Sequence, residues 1–427
     1  MGSALEAATR KTRWRLIPLM LVLYVLAFLD RADIGFAKNS YQLDTHISNS
    51  VFALGAGIFF SAYALLGAPA NLLMQRFGAR RWIGCTTLTW GLLAASMSRA
   101  DCAWKFLLIR TLLGAAEAGF FPGMIYLTSQ WFPQQQRAGV MGLFYLGVPL
   151  ALTLGSPFAG ALLELQGLGG RPGWAWMFLV DGGLAMLAGV WVFFYLDDRP
   201  SEARFLSAEE RAALVQELQI EERVKAVPSI RDAVRNGQVW RLAVIYMMIQ
   251  MGVYGLIFFL PSQIAALLGK RIGFASSLIT AIPWLVAMVG TYLIPRYSDR
   301  SERRRYVAAA TLLVGGIGIG VSAFGGPVVA ILALSAAATG LIAVQPVFWT
   351  MPTGLLTGRA LAAGIGFVNM FGAFGGLLAP LLRVKAESVF ANQSAGLVTL
   401  SIVVIAAATM IAMLKPNPYS QVFREEN

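Results

Sequence analysis

Four ionisable residues lie inside otherwise apolar stretches of this chain: Asp30 and Arg31 near the end of one, Arg110 and Glu117 within another. A charge at bilayer depth is costly, and it is kept where it faces a protein-lined or watery cavity and binds or relays ions. Arg110 and Glu117 are seven residues apart, two helical turns, so they share a helix face to within about 20° and can address one cavity. Asp30 and Arg31 are consecutive and diverge by about 100°, which lets one serve an ion and the other a substrate. Arg31 can grip a carboxylate through two parallel N–H bonds, a geometry that suits guanidinium better than ammonium. Glu117 sits in the run Gly114-Ala115-Ala116-Glu117-Ala118-Gly119. Small neighbours there allow close helix approach and a low-dielectric setting that favours a protonated carboxyl, so Glu117 is a candidate proton carrier. A bond from Arg110 to Glu117 that locks the helix is compatible with this role if protonation breaks it. Asp33, close by, is read as an interfacial residue.

Those positions need elements to hold them, and composition says which. With 57% hydrophobic residues, 13% charged ones and a mean hydropathy of +0.65, the chain is an all-α integral membrane protein and not a water-soluble domain. Apolar runs separated by charge clusters predict twelve transmembrane helices, near 16–38, 51–74, 82–99, 104–129, 138–163, 174–196, 240–268, 274–297, 305–324, 327–350, 359–385 and 393–414. The basic stretch Arg10 to Arg15 leads into a full-length span with no small-residue cleavage site after it, so the first helix is expected to be retained. Cys85 and Cys102 have no ligand spacing, and neither a metal site nor a cofactor is expected. The single histidine, His46, belongs to an exterior loop, and no nucleophile elbow or phosphate loop is present, so an enzyme is not expected.

Lys and Arg collect in cytoplasmic loops. With the amino terminus inside, 24 of the 34 fall on the cytoplasmic side and 8 outside, Arg31 and Arg110 completing the set, so both termini are expected in the cytoplasm. The net charge of +12 follows from this asymmetry and requires no nucleic-acid partner. Residues 197–239 form a polar cytoplasmic loop, with an amphipathic piece around Ala208 to Val224 suited to the membrane surface. That loop divides the chain into an N-terminal bundle, 1–196, and a C-terminal bundle with a short tail, 240–427. The halves read as copies: NLLMQRFGARR (Asn71 to Arg81) has a counterpart in PRYSDRSERRR (Pro295 to Arg305) at an offset of 224 residues. The same offset carries Asp30, Arg110 and Glu117 onto Tyr254, Leu334 and Leu341. Two pseudo-symmetric six-helix bundles with substrate between them follow, with the ion-handling groups in the first alone.

The loop after the second predicted helix resembles the signature of the major facilitator superfamily, an acidic residue and Arg followed by Gly and two basic residues. Arg76, Gly78, Arg80 and Arg81 match it, Gln75 stands where Asp is usual, and the second copy keeps Asp299 beside Arg300. The resemblance implies a charged latch between helix ends that breaks as the halves rock, with Arg76, Arg80, Asp299 and Arg300 as its members. FLDRADIGFA (Phe28 to Ala37), RTLLGAAEAGFFPGMIYLTSQWFPQQQRA (Arg110 to Ala138) and GFVNMFGAFGG (Gly366 to Gly376) are similar to the anion:cation symporter family, and the likeness covers nearly the whole chain. It implies the major facilitator fold and a secondary transporter of organic anions, with protons, or alternatively sodium, as coupling ion. It also implies that Asp30 and Glu117 couple protons, that Arg31 binds the anion and that Arg110 tunes Glu117, while Tyr63 and Asn369 match substrate-binding positions. Within the family, YVLAFLDR, YGLIFFLP and QPVFWTMPT are most similar to carriers of L-rhamnonate. A proton symporter that imports a sugar-acid monoanion, an aldonate and foremost L-rhamnonate, by alternating access is thereby implied.

Sugar acids also need partners for their hydroxyls, which amides, phenols and indoles supply. Gln345 and Trp349 are candidates by position, and Gln250 and Tyr254 by polarity and one-turn spacing, with a helix-packing hydrogen bond the alternative for the last two. Phe28, where many relatives carry Tyr, and Val148, where some sugar-acid carriers show Gln, suggest a deoxy substrate. A loose Gly-Pro match from Gly155 to Gly160 leaves an organic-anion exporter or exchanger of the same fold open. Expected partners are the sugar-acid anion and membrane lipid; the expected state is a monomer, in a bacterial inner membrane.

Overall fold

The structure, a computed structural model, describes residues 2–222, 230–301, 303–355 and 358–414. Gln75 and Asp299 fall in helices, but their side chains lie outside the described residues. The first half comprises α1 Gly2–Thr45, α2 Asn49–Phe77, α3 Ala79–Ser96, α4 Ala103–Glu117, α5 Phe120–Trp131, α6 Gln134–Tyr145, α7 Gly147–Leu163 and α8 Gly173–Tyr195. Short helices α9 Ala208–Glu222 and α10 Ile230–Arg235 follow in the central segment. The second half comprises α11 Gly237–Leu267, α12 Phe274–Ser301, α13 Arg304–Ser322, α14 Pro327–Leu355, α15 Gly358–Val389 and α16 Gln393–Ala412. Each of the twelve predicted spans overlies one of these helices or a broken pair.

Among the described residues, nine helical segments are long and apolar enough to cross a membrane. The three further predicted spans coincide with α1, α3 and the pair α4 and α5. Charge and length explain the difference: α1 carries Asp30, Arg31 and Asp33, α3 opens on Arg80 and Arg81, and α4 and α5, of 15 and 12 residues, are each too short.

Prolines divide two of the predicted spans. Pro122 has no N–H to give the Ala118 carbonyl, and α4 ends directly after Glu117. Pro149 likewise leaves the Tyr145 carbonyl without its helical donor, and the helical hydrogen bonding is interrupted at Leu146 between α6 and α7 while the backbone there stays helical. At the amino terminus the helix starts earlier than predicted, because Ala4, Leu5, Glu6, Ala7 and Ala8 are strong helix formers. This extension packs on α9, where Lys11 Nζ meets Glu210 Oε1 at 2.8 Å. The α9 start is a capping box: the Ser207 N–H donates to Glu210 Oε2 at 2.9 Å, and the Glu210 N–H to Ser207 Oγ at 3.2 Å.

Within the first half α1 packs on α7 and α8, α2 on α4, and α3 on α8; within the second, α11 packs on α15 and α16, α12 on α14, and α13 on α14 and α16. The halves meet through α1 with α11, α2 with α15, and α7 with α12. Among the described residues, the close approaches at Gly35, Gly57 and Gly160 lie toward the end of the molecule away from the amino terminus. Gly35 brings α1 so near α11 that a Cβ there would stand 2.8 Å from the Phe258 carbonyl oxygen and 2.9 Å from that of Ile257. Nearby, the Phe274 N–H donates to Glu164 Oε1 at 2.8 Å, tying the end of α7 to the start of α12. The structure is therefore shut at the far end.

Candidate functional site

Where the halves face each other between their ends, they line a narrow cavity. Tyr24, Phe28 and Arg31 line it from α1 at helical spacings of four and three, so one stripe of α1 forms a wall. On α11 spacings of four present Tyr246, Gln250 and Tyr254. Tyr63, Gln345 and Asn369 also reach the wall, as do Phe28 and Val148. Of the residues expected to contact substrate, Trp349 is the exception. Its ring packs on Tyr246 with centroids 4.8 Å apart, which places it beside a wall residue and off the lining. Tyr24, Tyr145, Tyr246, Phe60 and Phe121 line the cavity and escaped the sequence reading, although the stripe from Tyr24 through Phe28 to Arg31 was there to be seen.

Arg31 is the only cationic side chain on the described lining, and it is 5% exposed. Its Nε and Nη2 donate to a single oxygen, Oε2 of Glu117, at 3.0 and 2.8 Å. Its Nη1 lies 3.4 Å from the Tyr254 hydroxyl, across the interface between the halves. The guanidinium carbon stands 5.2, 5.3 and 5.1 Å from the ring centroids of Phe28, Phe59 and Tyr63. Aromatic faces thus surround the cation on the sides where no carboxylate does. Glu117 is fully buried and its Oε1 has no hydrogen-bond partner. Its depth depends on Gly114, where a Cβ would collide with the Phe59 carbonyl of α2, so the predicted close approach of small residues is present.

The alternative of a bond from Arg110 to Glu117 is not what the structure shows. Arg110, 1% exposed, donates from Nε to the Gly55 carbonyl at 3.1 Å and lies 4.9 Å from the Phe59 ring, while its Nη2 has no partner. Two turns on one helix point both side chains inward, yet Arg31 on α1 approaches Glu117 directly and takes the pairing. Asp30, 4% exposed, is off the cavity wall and faces Glu117 electrostatically. Thus Arg31 faces the cavity while Asp30 turns behind it, as consecutive helical positions must.

Asp33 is corrected: at 1% exposure it is buried, because α1 continues to Thr45 and carries it inside. It electrostatically faces Asp181 on the packed helix α8, 5% exposed, a residue the sequence reading passed over. An acid inside the apolar run Gly173–Tyr195 was the available signal. Among the described residues no three His, Cys, Asp or Glu side chains converge as a metal site.

At the opposite end, Arg76 and Arg81 line a second cavity with Asp198, Arg199 and Glu202. Asp198 Oδ1 accepts the Arg80 N–H at 2.9 Å, so an acid from the segment after α8 caps α3 where Gln75 supplies none. Arg300 is exposed in the last turn of α12, and the Asp299 side chain lies outside the described residues.

The family model described as Major Facilitator Superfamily matches residues 20–380. The chain belongs to that superfamily. It is a multi-pass membrane transporter and not an enzyme. Over 413 residues it is 63% identical to the Inner membrane transport protein RhmT of Escherichia coli (strain K12), covering 97% of this chain and 96% of the relative. A protein of Agrobacterium vitis provisionally named a tartrate transporter is 37% identical over 424 residues, 98% of this chain and 94% of that one. The fold is similar to the crystal structure of a bacterial homologue of the human lysosomal transporter Spinster, with a TM-score of 0.77, 18% identity and coverage of 97% and 98%.

Proposed function

We propose that this transporter imports a sugar-acid monoanion, an aldonate such as L-rhamnonate, across the inner membrane by proton symport. The observation that carries the reading is the Arg31–Glu117 pair, in which Arg31 lines the cavity and Glu117 is buried behind it. Arg31 is the group a carboxylate ligand needs, and a protein carboxylate already holds it through two bonds to one oxygen. An arriving anion therefore competes with Glu117, and a proton on Glu117 removes the competitor. Substrate and proton bind together because each makes room for the other.

Further features support the details. One cationic group on the described wall suits one carboxylate. Tyr63, Gln250, Tyr254, Gln345 and Asn369 offer donors and acceptors for hydroxyls. Phe28 and Val148 offer apolar surface for the methyl group of a 6-deoxy acid. The provisional naming of the Agrobacterium relative is in keeping with a carboxylate substrate. Leu334 and Leu341, the second-half counterparts of Arg110 and Glu117, are fully buried apolar residues, which leaves coupling to the first half. With both termini in the cytoplasm, the shut far end is the periplasmic one. Asp30, next to Glu117, shares the proton, and the latch of Arg76, Arg80, Asp299 and Arg300 re-forms when the cytoplasmic side closes.

Purified protein exposed to a panel of aldonates tests the substrate class. Thermal stabilisation by a 6-deoxyaldonate that exceeds that by its 6-hydroxy analogue, and is lost in Arg31→Ala, is the expected result. Stabilisation by neutral sugars, or by the acid in Arg31→Ala, removes the carboxylate from Arg31.

A further inference from the structure

The proposed symport uses Asp30 and Glu117, but the first half buries two more carboxyls. Asp33 is 1% exposed and Asp181 5%, and they face each other electrostatically from the packed helices α1 and α8. Both oxygens of Asp181 and Oδ2 of Asp33 lack any hydrogen-bond donor, as does Oδ2 of Asp30. The charged groups facing this region are Asp30 and Arg31 on α1, Arg110 and Glu117 on α4, and Asp181 on α8. Four carboxyls thus share a low-dielectric interior with two guanidinium groups, one of which, Arg110, is 1% exposed and keeps an unpartnered Nη2. Buried charge without compensation is strongly unfavourable, so positive charge must join the carboxyls from elsewhere. Protonation of the carboxyls supplies such charge without another side chain.

Geometry gives the second carboxyl pair a direction. Asp30 and Asp33 are three residues apart and lie on one face of α1, with Asp33 nearer the far end. Asp181 stands eight residues into α8, whose first residue, Gly173, lies at that same end. The carboxyls therefore run in series, Asp181, Asp33, Asp30, Glu117, from the far end to the ion pair beside the cavity.

We propose that Asp33 and Asp181 form a proton-loading pair that delivers protons to Asp30 and Glu117. In each transfer the O–H bond of the Asp33 carboxyl breaks as one forms on the Asp30 carboxylate, and Asp33, now anionic, is recharged through Asp181 from the far side. This rests on the symport reading above.

The test is reconstitution of the wild type, Asp33→Asn, Asp181→Asn, the double variant and Asp33→Glu, with substrate counterflow and acid-driven influx measured side by side. Counterflow exchanges substrate without net proton movement and should stay within twofold of wild type in all variants. Acid-driven influx should fall at least tenfold in the double Asn variant, with its pH profile displaced, and recover in Asp33→Glu. Driven influx within twofold of wild type in the double variant, or parallel loss of both activities with no rescue by Asp33→Glu, overturns the loading pair while leaving symport standing. A wild type that shows no acid-driven accumulation overturns the symport reading itself, and the loading pair with it.

Discussion

Replacing Glu117 by Gln removes the competitor for Arg31 while keeping nearly the same shape, and its effect on binding can be worked from the contacts. Glu117 is fully buried and Oε2 takes two hydrogen bonds from Arg31, at 3.0 and 2.8 Å. In the wild type at high pH, an incoming carboxylate must displace that ionised group. A hydrogen bond to a charged partner contributes roughly 1.5–3 kcal/mol net. Every 1.4 kcal/mol is about tenfold in affinity, so relief from the competition should tighten anion binding roughly 10- to 100-fold at alkaline pH. At acidic pH the wild-type carboxyl is already neutral and the two proteins should bind alike. Wild-type affinity should therefore weaken as pH rises, and Glu117→Gln should stay flat. Isothermal titration calorimetry of purified protein across the pH range measures this directly. The unliganded variant should also be less stable, by at most roughly 3–5 kcal/mol, because Arg31 is left without its counter-ion, and substrate should restore it. A Glu117→Gln protein whose affinity falls with pH as steeply as the wild type, or that no longer binds at all, refutes the reasoning.

Further outcomes can be stated briefly. Tyr254→Phe removes a long, 3.4 Å contact to Arg31 and should weaken substrate binding by no more than about 1 kcal/mol, read by the same titration. Gly114→Val should drive a side chain into the Phe59 carbonyl and cost at least roughly 1–3 kcal/mol, seen as a lower melting temperature with and without substrate. Asp198→Ala removes the acceptor for the Arg80 N–H and should cost about 1 kcal/mol, with faster proteolysis of the α2 to α3 turn as its readout. Lys11 beside Glu210, with the Ser207 N–H, holds that carboxyl below its ordinary 4.5. The stabilisation is complete above 4.5 and is lost as pH falls through the lowered value, so protease cutting within α9 should rise on acidification, and less so in Lys11→Ala.

Much of this architecture can be read from the chain because a bilayer leaves few options. Leu- and Ala-rich runs must be helices there, and basic loops and the repeated latch sequence divide them into two sets. The wall of the cavity was also largely legible: Arg31, Tyr63, Gln250, Tyr254, Gln345 and Asn369 are polar groups on apolar helices, and all of them reach it. Pairing was not legible. Arg110 shares a helix face with Glu117, but Arg31, 86 residues away in sequence, makes the ion pair, because α1 passes in front of α4 and periodicity within one helix says nothing of its neighbour. Trp349 packs on the wall residue Tyr246 and is off the lining, which position along α14 does not tell. Asp33 was misplaced because its helix was drawn too short, and Asp181 was overlooked inside a run whose other residues are apolar or small. The proline breaks after Glu117 and Tyr145 follow from a missing donor four residues on, a local rule that the span boundaries concealed.

The claim beneath all of this is that anion and proton move together, and coupled flux in sealed vesicles tests it most directly. In proteoliposomes loaded at neutral pH and placed in acid, labelled 6-deoxyaldonate should accumulate above its external concentration while the lumen acidifies in step, and a protonophore should abolish the accumulation. Equilibration to the external concentration and no further, with lumenal acidification unchanged by adding substrate, would contradict the account.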